Sequence, residues 1–471
     1  MYRQIYSLGL SILTLLLLLP DTLALKLFPV SHPDDLTGGQ HGHQKRQWNH
    51  TESLDLQDFE TFYWGGYSAG DIVYANLTLY FTGDYENIIS MERFAGMLKS
   101  VDCSDHMMLE FKDNTSFAYA QRVWNWVNND VNNTFVMIAN YEGCGPAAER
   151  QPFTVTNIVY DAQHSKAFLT ADQKNWTEIA HTYSLSVGHT PAPPPEKRLA
   201  LRGDPDFSMN LASSFNRNFF STTAFGVDMS LDCSNCGTSG SLNVDFDIDV
   251  ALFKISSAKM TISPKDVAAF LEVSMSESGT LSSAYNWEKT IVSIPIDGIE
   301  IAKIVKLGAF LDVDVGFSMA EWEGEAHATM GARMTLPNSA IVVVDLVKSE
   351  NNQFSGWMPD VVPIPLQVSA KVEGSAEIFA EPKIKLTAKA LGKGFEVGLN
   401  LKLPDISADF TAMFDSTGVC GGLHTLGVDV NANVGVDLSV QAATAGNEAN
   451  PFWTQELYVR RNSQHCNYSH F

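Results

Sequence analysis

Residues 241–250 read SLNVDFDIDV, and this short stretch decides the fold class. Its polar positions are the odd-numbered ones, Asn243, Asp245, Asp247 and Asp249. Its apolar positions are the even-numbered ones, Leu242, Val244, Phe246, Ile248 and Val250. A period of two is typical of a strand that buries one face and wets the other. The stretch therefore predicts a half-buried β-strand.

The same alternation recurs downstream, in LDVDVGF (311–317), EIFAEPKIKLTAKA (377–390) and FEVGLNLKL (395–403). It is clearest in TLGVDVNANVGVDLSVQ (425–441), where the apolar phase never shifts. Either this is one long strand bent near Gly435, or the chain turns through an odd-length loop at 431–433. Both alternatives predict a mainly β protein whose C-terminal domain is an antiparallel, sandwich-like structure.

The first half of the sequence is mixed, which predicts a β-rich α+β domain. VYANLTLYFTG (73–83) and FTVTNIVYD (153–161) indicate strands, and ISMERFAGMLKSV (89–101) indicates a short helix. Trp124 and Trp126 fall in an ambiguous segment, where they could share one strand face. Exposed indoles would stack on sugar rings, but we expect burial because aromatic side chains usually fill cores.

The N-terminal residues predict secretion and processing. Residues 1–24 have a basic Arg3, an apolar stretch too short to span a bilayer, and a small residue, Ala24, at the expected cleavage position. We interpret them as a signal peptide. Residues 25–46 are interpreted as a propeptide that a kexin-like protease removes after Lys45-Arg46, so that the mature chain begins at Gln47.

A proline-rich stretch, TPAPPPEKRLALRGDPDF (190–207), separates two predicted domains, 47–188 and 207–471. Consecutive prolines favour an extended spacer, so residues 189–206 are interpreted as a linker. Lys197-Arg198 within it is a second candidate cleavage site, since proteases cut exposed segments. The Arg-Gly-Asp triplet at 202–204 could dock to a receptor, but tripeptides occur often by chance.

Sequons and cysteines agree with an extracellular setting. The six N-glycosylation sequons are at Asn49, Asn76, Asn114, Asn132, Asn175 and Asn467. The six cysteines are Cys103, Cys144, Cys233, Cys236, Cys420 and Cys466. Cys103 and Cys144 form the natural first disulfide. Three pairings remain open in the second half, and we favour bonds from Cys233 and Cys236 to Cys420 and Cys466 over a small ring within CSNC.

Charge and motifs exclude several function classes. The chain holds 54 acidic and 31 basic residues, a net charge of −23, so nucleic acid and anionic membrane surfaces are not expected partners. No nucleophile elbow, zinc helix or phosphate loop occurs, and no metal or cofactor is expected. The candidate catalytic carboxylates are Glu321, Glu323 and Glu325, with His327 at the same spacing, although alternating Glu residues usually mark a solvated strand face.

Several segments resemble one known family. LDCSNCGTSGSLNVDFDIDV (231–250), SIPIDGIEIAKIVKLGAFLDVDVG (293–316) and CGGLHTLGVDVNANVGVDL (420–438) resemble the C-terminal domain of secreted fungal proteins of unknown function. VDCSDHMMLEF (101–111), WNWVNN (124–129) and NYEGCG (140–145) resemble the N-terminal domain that accompanies it. The resemblance implies a fungal extracellular setting and supplies no catalytic residues.

Taken together, the sequence predicts a secreted, N-glycosylated, non-catalytic protein of the cell surface or cell wall. Cell-wall polysaccharide or surface glycans are the expected partners, and a kexin-like protease is expected to process the chain. One alternative is a glycoside-active hydrolase that uses a carboxylate pair. The other is a lipid-binding or pore-forming protein, because long amphipathic strands can line an apolar groove. Stable membrane insertion is not expected, since no aromatic girdle accompanies the strands.

Overall fold

The structure is a computed structural model that describes residues 24–31, 50–68, 71–104, 107–145, 149–188, 208–414, 426–445, 447 and 450–464. Strand makes up 69% of it and helix 9%, which confirms the mainly β fold class. None of the helices among these residues is long and apolar enough to cross a membrane.

Among the described residues, the first half holds eleven strands and two α-helices. The strands are β1 Ala24–Lys26, β2 Phe28–Val30, β3 Phe59–Ser68, β4 Asp71–Tyr80, β5 Glu86–Ser90, β6 Leu98–Asp102, β7 Met107–Phe111, β8 Thr134–Ala139, β9 Gln151–Asp161, β10 Lys166–Gln173 and β11 Tyr183–Val187. The helices are α1 Asn114–Trp124 and α2 Trp176–Ile179, and the 3₁₀ turns are Thr51–Leu54, Met91–Arg93, Ala95–Met97 and Asn125–Asn128.

The second half consists of long strands. They are β12 Ser208–Asn210, β13 Ser213–Ser214, β14 Asn218–Ala224, β15 Val227–Ala251, β16 Lys254–Leu281, β17 Tyr285–Ile301, β18 Val305–Thr335, β19 Ile341–Asp345, β20 Gln353–Ser355, β21 Asp360–Ala390, β22 Lys393–Phe414, β23 Leu426–Thr444 and β24 Trp453–Gln464. A further 3₁₀ turn spans Ser349–Asn351. β18 and β21 each run for 31 residues, several times the usual strand length.

The long strands form one antiparallel sheet in which β14, β15, β16, β18, β21, β22, β23 and β24 follow one another. Every even position from Leu242 to Val250 of β15 is buried, whereas the intervening positions are half-buried or exposed. The alternation therefore separates a dry face from a wet face, as the sequence predicts. The dry faces together form the larger of the two hydrophobic cores.

Strand β23 resolves the choice between a long strand and a turn. It pairs with β22 continuously, and Asn433 opposite Ser407 lies within the paired region, so no turn occurs at 431–433. The register shifts only between Lys402 and Asp405 of β22, directly opposite the chain around Gly435. Residues 403–404 form a bulge there, and a bulge bends a strand without ending it.

The two halves of the chain share the large sheet. β11, from the first half, pairs on one edge with β4 and on the other with β15. Its Leu185 lies opposite Leu77 and Ile248 and is 1% exposed. The larger core therefore contains side chains from both halves.

A second sheet lies wholly in the first half. Its order is β5-β8-β9-β10-β7-β6, and only the β5–β8 pair is parallel. Helix α1 begins after Asp113, whose carboxylate accepts the backbone N–H of Ser116 at 2.8 Å and caps the helix. Together with the two sheets, this helix makes the first half the β-rich α+β structure that its mixed pattern predicts.

Trp124 is fully buried at the end of α1, and its indole N–H donates to the carbonyl of Leu54 at 2.8 Å. Its predicted burial is confirmed, but the strand interpretation of this segment is wrong. Trp126 lies half-buried in the following 3₁₀ turn. Residues 89–101 form the end of β5, two 3₁₀ turns and most of strand β6 instead of the expected helix, since Gly96 is a poor helix former.

The disulfides confirm one expectation and correct another. Cys103 is bonded to Cys144, as expected. Cys233 is bonded to Cys236 and not to the favoured Cys420 or Cys466, which lie outside the described residues. Residues three apart on a regular strand point to opposite faces, but β15 has a register shift between Cys233 and Asn235. This bulge turns both thiols inward, and both cysteines are buried.

The shared sheet predicts the outcome of cleavage at Lys197-Arg198, which lies outside the described residues. We expect the two fragments to elute together from a native gel-filtration column and to separate in denaturant, because the β11–β15 pairing and the common core hold them. In cleaved Leu185→Asp, which introduces a charge into that core, we expect the fragments to separate without denaturant. Cleaved Ser184→Ala, altered at a half-buried neighbouring position, is the control. Separation of the unmutated fragments under native conditions would contradict the prediction.

Candidate functional site

A polar groove with a volume of about 700 Å³ lies on the wet face of the large sheet. It is located where β14, β15, β16 and β18 run side by side. One row of cross-strand pairs crosses it, with Thr223 opposite Asp228, Asp228 opposite Ser278, and Ser278 opposite Glu325. Its outward-facing side chains are Ser221, Thr223, Asp228, Ser230, Ser276, Ser278, Glu325 and His327. Hydroxyls and carboxylates therefore dominate the groove.

The strand register explains how these residues meet. Ser276 of β16 lies directly opposite His327 of β18, and its hydroxyl is hydrogen-bonded to the imidazole Nδ1 at 2.7 Å. On the other side of the groove, the Thr223 hydroxyl donates to the Asp228 carboxylate at 2.5 Å. Cross-strand neighbours come within side-chain reach in any antiparallel pair, so the register alone assembles this polar row.

An exposed aromatic residue occupies the turn that follows the groove residue Thr223 and precedes the groove residue Asp228. Phe225 and Gly226 form the two-residue turn between β14 and β15, with φ angles of 53° and 86°. A bulky residue is rare in this left-handed region, and the Phe225 side chain is 70% exposed. Gly279 of β16 allows the turn to approach closely, since a Cβ there would lie 2.5 Å from the Gly226 carbonyl oxygen.

A buried carboxyl lies beneath the floor of the groove. Glu277, between Ser276 and Ser278, follows Val273 and Met275 in the inward phase of β16 and is 2% exposed. Neither of its carboxyl oxygens has a hydrogen-bond partner. Burial raises the pKa of Glu277 to about 8, because an apolar interior disfavours the charged form. The folded protein therefore keeps this carboxyl protonated at neutral pH.

The three candidate carboxylates from the sequence are only partly brought into the site. Glu325 lines the groove, whereas Glu323 lies one row beyond it, opposite Thr280. Both side chains are exposed, as on an ordinary wet strand face. The side chain of Glu321 lies outside the described part of the chain.

Sequence reasoning noted His327 but missed its partner Ser276 and the buried Glu277. Glu277 could have been found from the pattern alone, since it occupies an apolar phase position in LEVSMSES (271–278). The Ser276–His327 pair could not, because it depends on a pairing between strands 51 residues apart in sequence.

The structure describes four of the six predicted sequon asparagines. Asn114, Asn132 and Asn175 are exposed, and Asn76 is half-buried on β4. Asn49, Asn467, Lys45-Arg46 and Lys197-Arg198 lie outside the described residues. Among the described side chains, no three from His, Cys, Asp and Glu are grouped so as to hold a metal ion.

The raised pKa of Glu277 predicts that the free energy of unfolding falls as pH rises from about 4.5 to about 8. Over that window the folded state holds a proton that the unfolded state, at the ordinary Glu pKa of 4.5, has lost. The stabilising contribution is complete below pH 4.5, is lost progressively through the window, and its loss levels off above pH 8. At about 1.4 kcal/mol per pKa unit, the total change is on the order of a few kcal/mol.

The measurement is the free energy of unfolding between pH 4 and 9 for the wild type, Glu277→Gln and Glu323→Gln. We expect Glu277→Gln to flatten the pH profile and to be the more stable protein at pH 8. Glu323→Gln, which alters an exposed carboxylate, should keep the wild-type slope. Burial also raises the pKa of Glu60 to about 7, although the charge of Arg93 opposes this shift. Glu60 therefore leaves a residual pH dependence of stability in all three proteins. An unchanged slope in Glu277→Gln would contradict the assignment.

Two family profiles match the chain. Residues 82–184 match a domain of unknown function, DUF7029, which covers the second sheet and its helix. Residues 209–464 match another domain of unknown function, DUF7223, which covers the long strands and the whole groove. No curated protein and no solved structure matches the chain. Since the second match spans more than half of the sequence, the chain belongs to the DUF7223 family.

Proposed function

We propose that this protein is a secreted, N-glycosylated extracellular protein, fungal in origin, that binds glycans without cleaving them. The groove beside Ser276 and His327 is the proposed binding site. The observation that carries the proposal is the combination of a row of hydroxyl and carboxylate groups with the exposed ring of Phe225 at its edge.

This combination matches the chemistry of a sugar. Each hydroxyl of a sugar both donates and accepts hydrogen bonds, and serine, threonine, aspartate and glutamate side chains supply complementary partners. The C–H face of a pyranose ring is apolar and packs on aromatic rings, which supply large contact areas. An open groove along the sheet surface suits a segment of a polysaccharide chain better than an enclosed small molecule.

Sequence features and the disulfides support an extracellular setting for such a protein. The apolar leader, the sequons and the two disulfides suit an oxidising compartment. Cell-wall polysaccharide or surface glycans are the proposed partners. A kexin-like protease is the proposed processing enzyme.

A glycoside hydrolase is the second candidate, and one observation favours it. Glu323 and Glu325 are both exposed on the same strand face. Residues two apart on a strand are separated by about 7 Å, which is within the separation used by inverting glycosidases. Binding ranks first because both carboxylates are exposed on the wet face of the strand, where alternating glutamates are common and catalytic pairs are few.

We expect the purified protein to be retained on at least one of chitin, glucan and mannan. Phe225→Ala should weaken retention by about tenfold through loss of the stacking surface. Phe253→Ala is the matched control, because Phe253 is a 54% exposed phenylalanine, also at positive φ, in the turn at the opposite end of β15. Ser276→Ala should also weaken retention, since it removes one hydroxyl from the groove. Failure to bind all three polymers, or equal loss in Phe253→Ala, would refute the proposed site.

The hydrolase candidate is tested on the same polymers by measuring the release of reducing ends. We expect no release above background. If release occurs, the variant with Glu321, Glu323 and Glu325 all changed to Gln decides its origin. Activity that disappears in this variant while retention persists would replace binding with hydrolysis as the function.

A further inference from the structure

Residues 25–30, here called the closing segment, are integrated into the large sheet although the sequence predicts their removal as part of the propeptide. β1 pairs in parallel with β17, with Leu25 opposite Ile299. β2 then pairs antiparallel with β3, with Pro29 opposite Trp64. The closing segment thus hydrogen-bonds to one strand from each half of the chain.

These pairings complete a circuit of strands. From β3 the hydrogen bonding passes through β4, β11, β15, β16, β18 and β17, and the closing segment joins β17 back to β3. Without the segment, the paired stretches of β17 and β3 would present free backbone N–H and C=O groups. Such open edges tend to recruit another strand, and proteins generally cover them.

Apolar side chains of the closing segment reach the core. Leu27 is 5% exposed and belongs to the larger hydrophobic core. Gly66 of β3 makes room for it, since a Cβ at that position would lie 3.0 Å from a Leu27 methyl and 3.7 Å from those of Leu25. Phe28, the next residue, points away and is 63% exposed.

A buried arginine anchors the end of the segment. Arg150 is 5% exposed, and its Nη2 donates to the Val30 carbonyl at 3.1 Å, while its Nη1 donates to the Tyr63 carbonyl at 2.7 Å. The Glu92 carboxylate accepts hydrogen bonds from Nε at 2.7 Å and from Nη2 at 2.8 Å. The guanidinium also lies 4.7 Å from the Trp64 ring centroid. An ion pair between a buried guanidinium and a half-buried carboxylate, with several hydrogen bonds, holds its partners in a defined geometry.

We propose that the edges of β17 and β3, together with Arg150, form a peptide-binding surface whose occupant is the closing segment. Cleavage after Arg46 then leaves this segment bound, and the mature protein consists of two non-covalently associated polypeptides. The cleavage itself hydrolyses one peptide bond with one water, giving a carboxylate on Arg46 and an amine on Gln47. The proposal applies to any cut between residues 31 and 50 and does not depend on glycan binding.

The test uses the Lys197→Gln/Arg198→Gln chain, which lacks the second candidate site. It is secreted by a host without a dibasic-cleaving protease and treated in vitro with a kexin-like protease. We expect denaturing mass spectrometry to show residues 25–46 as a separate peptide. Native mass spectrometry and gel filtration should show it still bound to the remainder. The same treatment of Lys45→Gln/Arg46→Gln, which lacks the site, is the control. A free 25–46 peptide beside a remainder with an unchanged melting temperature would overturn the proposal.

Two variants test whether the described contacts retain the peptide. Leu27→Ala should accelerate its dissociation by at least about 30-fold, as expected for truncating a buried leucine. Phe28→Ala is the matched control on the same segment and should change the rate by less than about threefold, because that ring is exposed. Equal rates for Leu27→Ala and the wild type would overturn the assignment.

A second measurement guards against variants that fail to fold. The bound peptide is removed from the cleaved wild-type protein in mild denaturant, and a labelled synthetic 25–46 peptide is added after dilution. We expect the wild-type peptide to rebind and a Leu27→Asp peptide not to rebind. Equal binding of the two peptides would overturn the proposal. So would a failure of both peptides to bind while the remainder keeps its β-sheet circular dichroism.

Discussion

The antiparallel pairing of β11 with β15 is the interaction on which the rest of the structure depends. Five residue pairs, from Tyr183 opposite Val250 to Val187 opposite Phe246, join the first half of the chain to the second. The partner residues on β15 belong to the SLNVDFDIDV stretch, whose even positions line the common core. Because β11 also pairs with β4, it brings β3 and β4 into the large sheet. The proline-rich stretch at 190–207 divides the sequence, whereas the larger core extends across both halves.

Apolar and polar side chains alternate with a period of two along the strands of the second half. Three features that depart from the expected pattern carry unusual chemistry. The bulge in β15 turns Cys233 and Cys236 to the same face and permits their disulfide. Glu277 puts a carboxyl where the phase calls for an apolar side chain. Phe225 leaves a large ring in solvent at a turn that usually carries glycine or asparagine. Two of these three departures, Glu277 and Phe225, border the groove. Their position agrees with the general observation that rule-breaking residues concentrate at functional sites.

Local patterns predict local structure here, and they fail wherever distant strands decide the outcome. The alternation in 241–250 and in 425–441 is strong enough to predict the strands and their faces. It cannot show that Ser276 faces His327, since that register follows from the strand connections and bulges between them. The strand prediction for the segment around Trp124 failed for another reason. Its aromatic residues favour strand locally, while the Asp113 cap and the packing of α1 against the second core favour helix. Of the candidate site, the sequence therefore indicated Glu325 and His327, but neither their cross-strand partners nor the geometry.

The closing segment also constrains the order of folding and processing. β1 precedes all other described strands, yet its partner β17 lies deep in the second half, so this pairing forms late on a growing chain. Until residues 298–300 are in place, only the β2–β3 contact and Arg150 can hold the segment. A cut after Arg46 before that point would leave the segment held by these contacts alone, with the edge of β17 open. A cut after it would find the strand circuit already complete. The late pairing with β17 thus makes folding before cleavage a requirement for keeping the sheet closed.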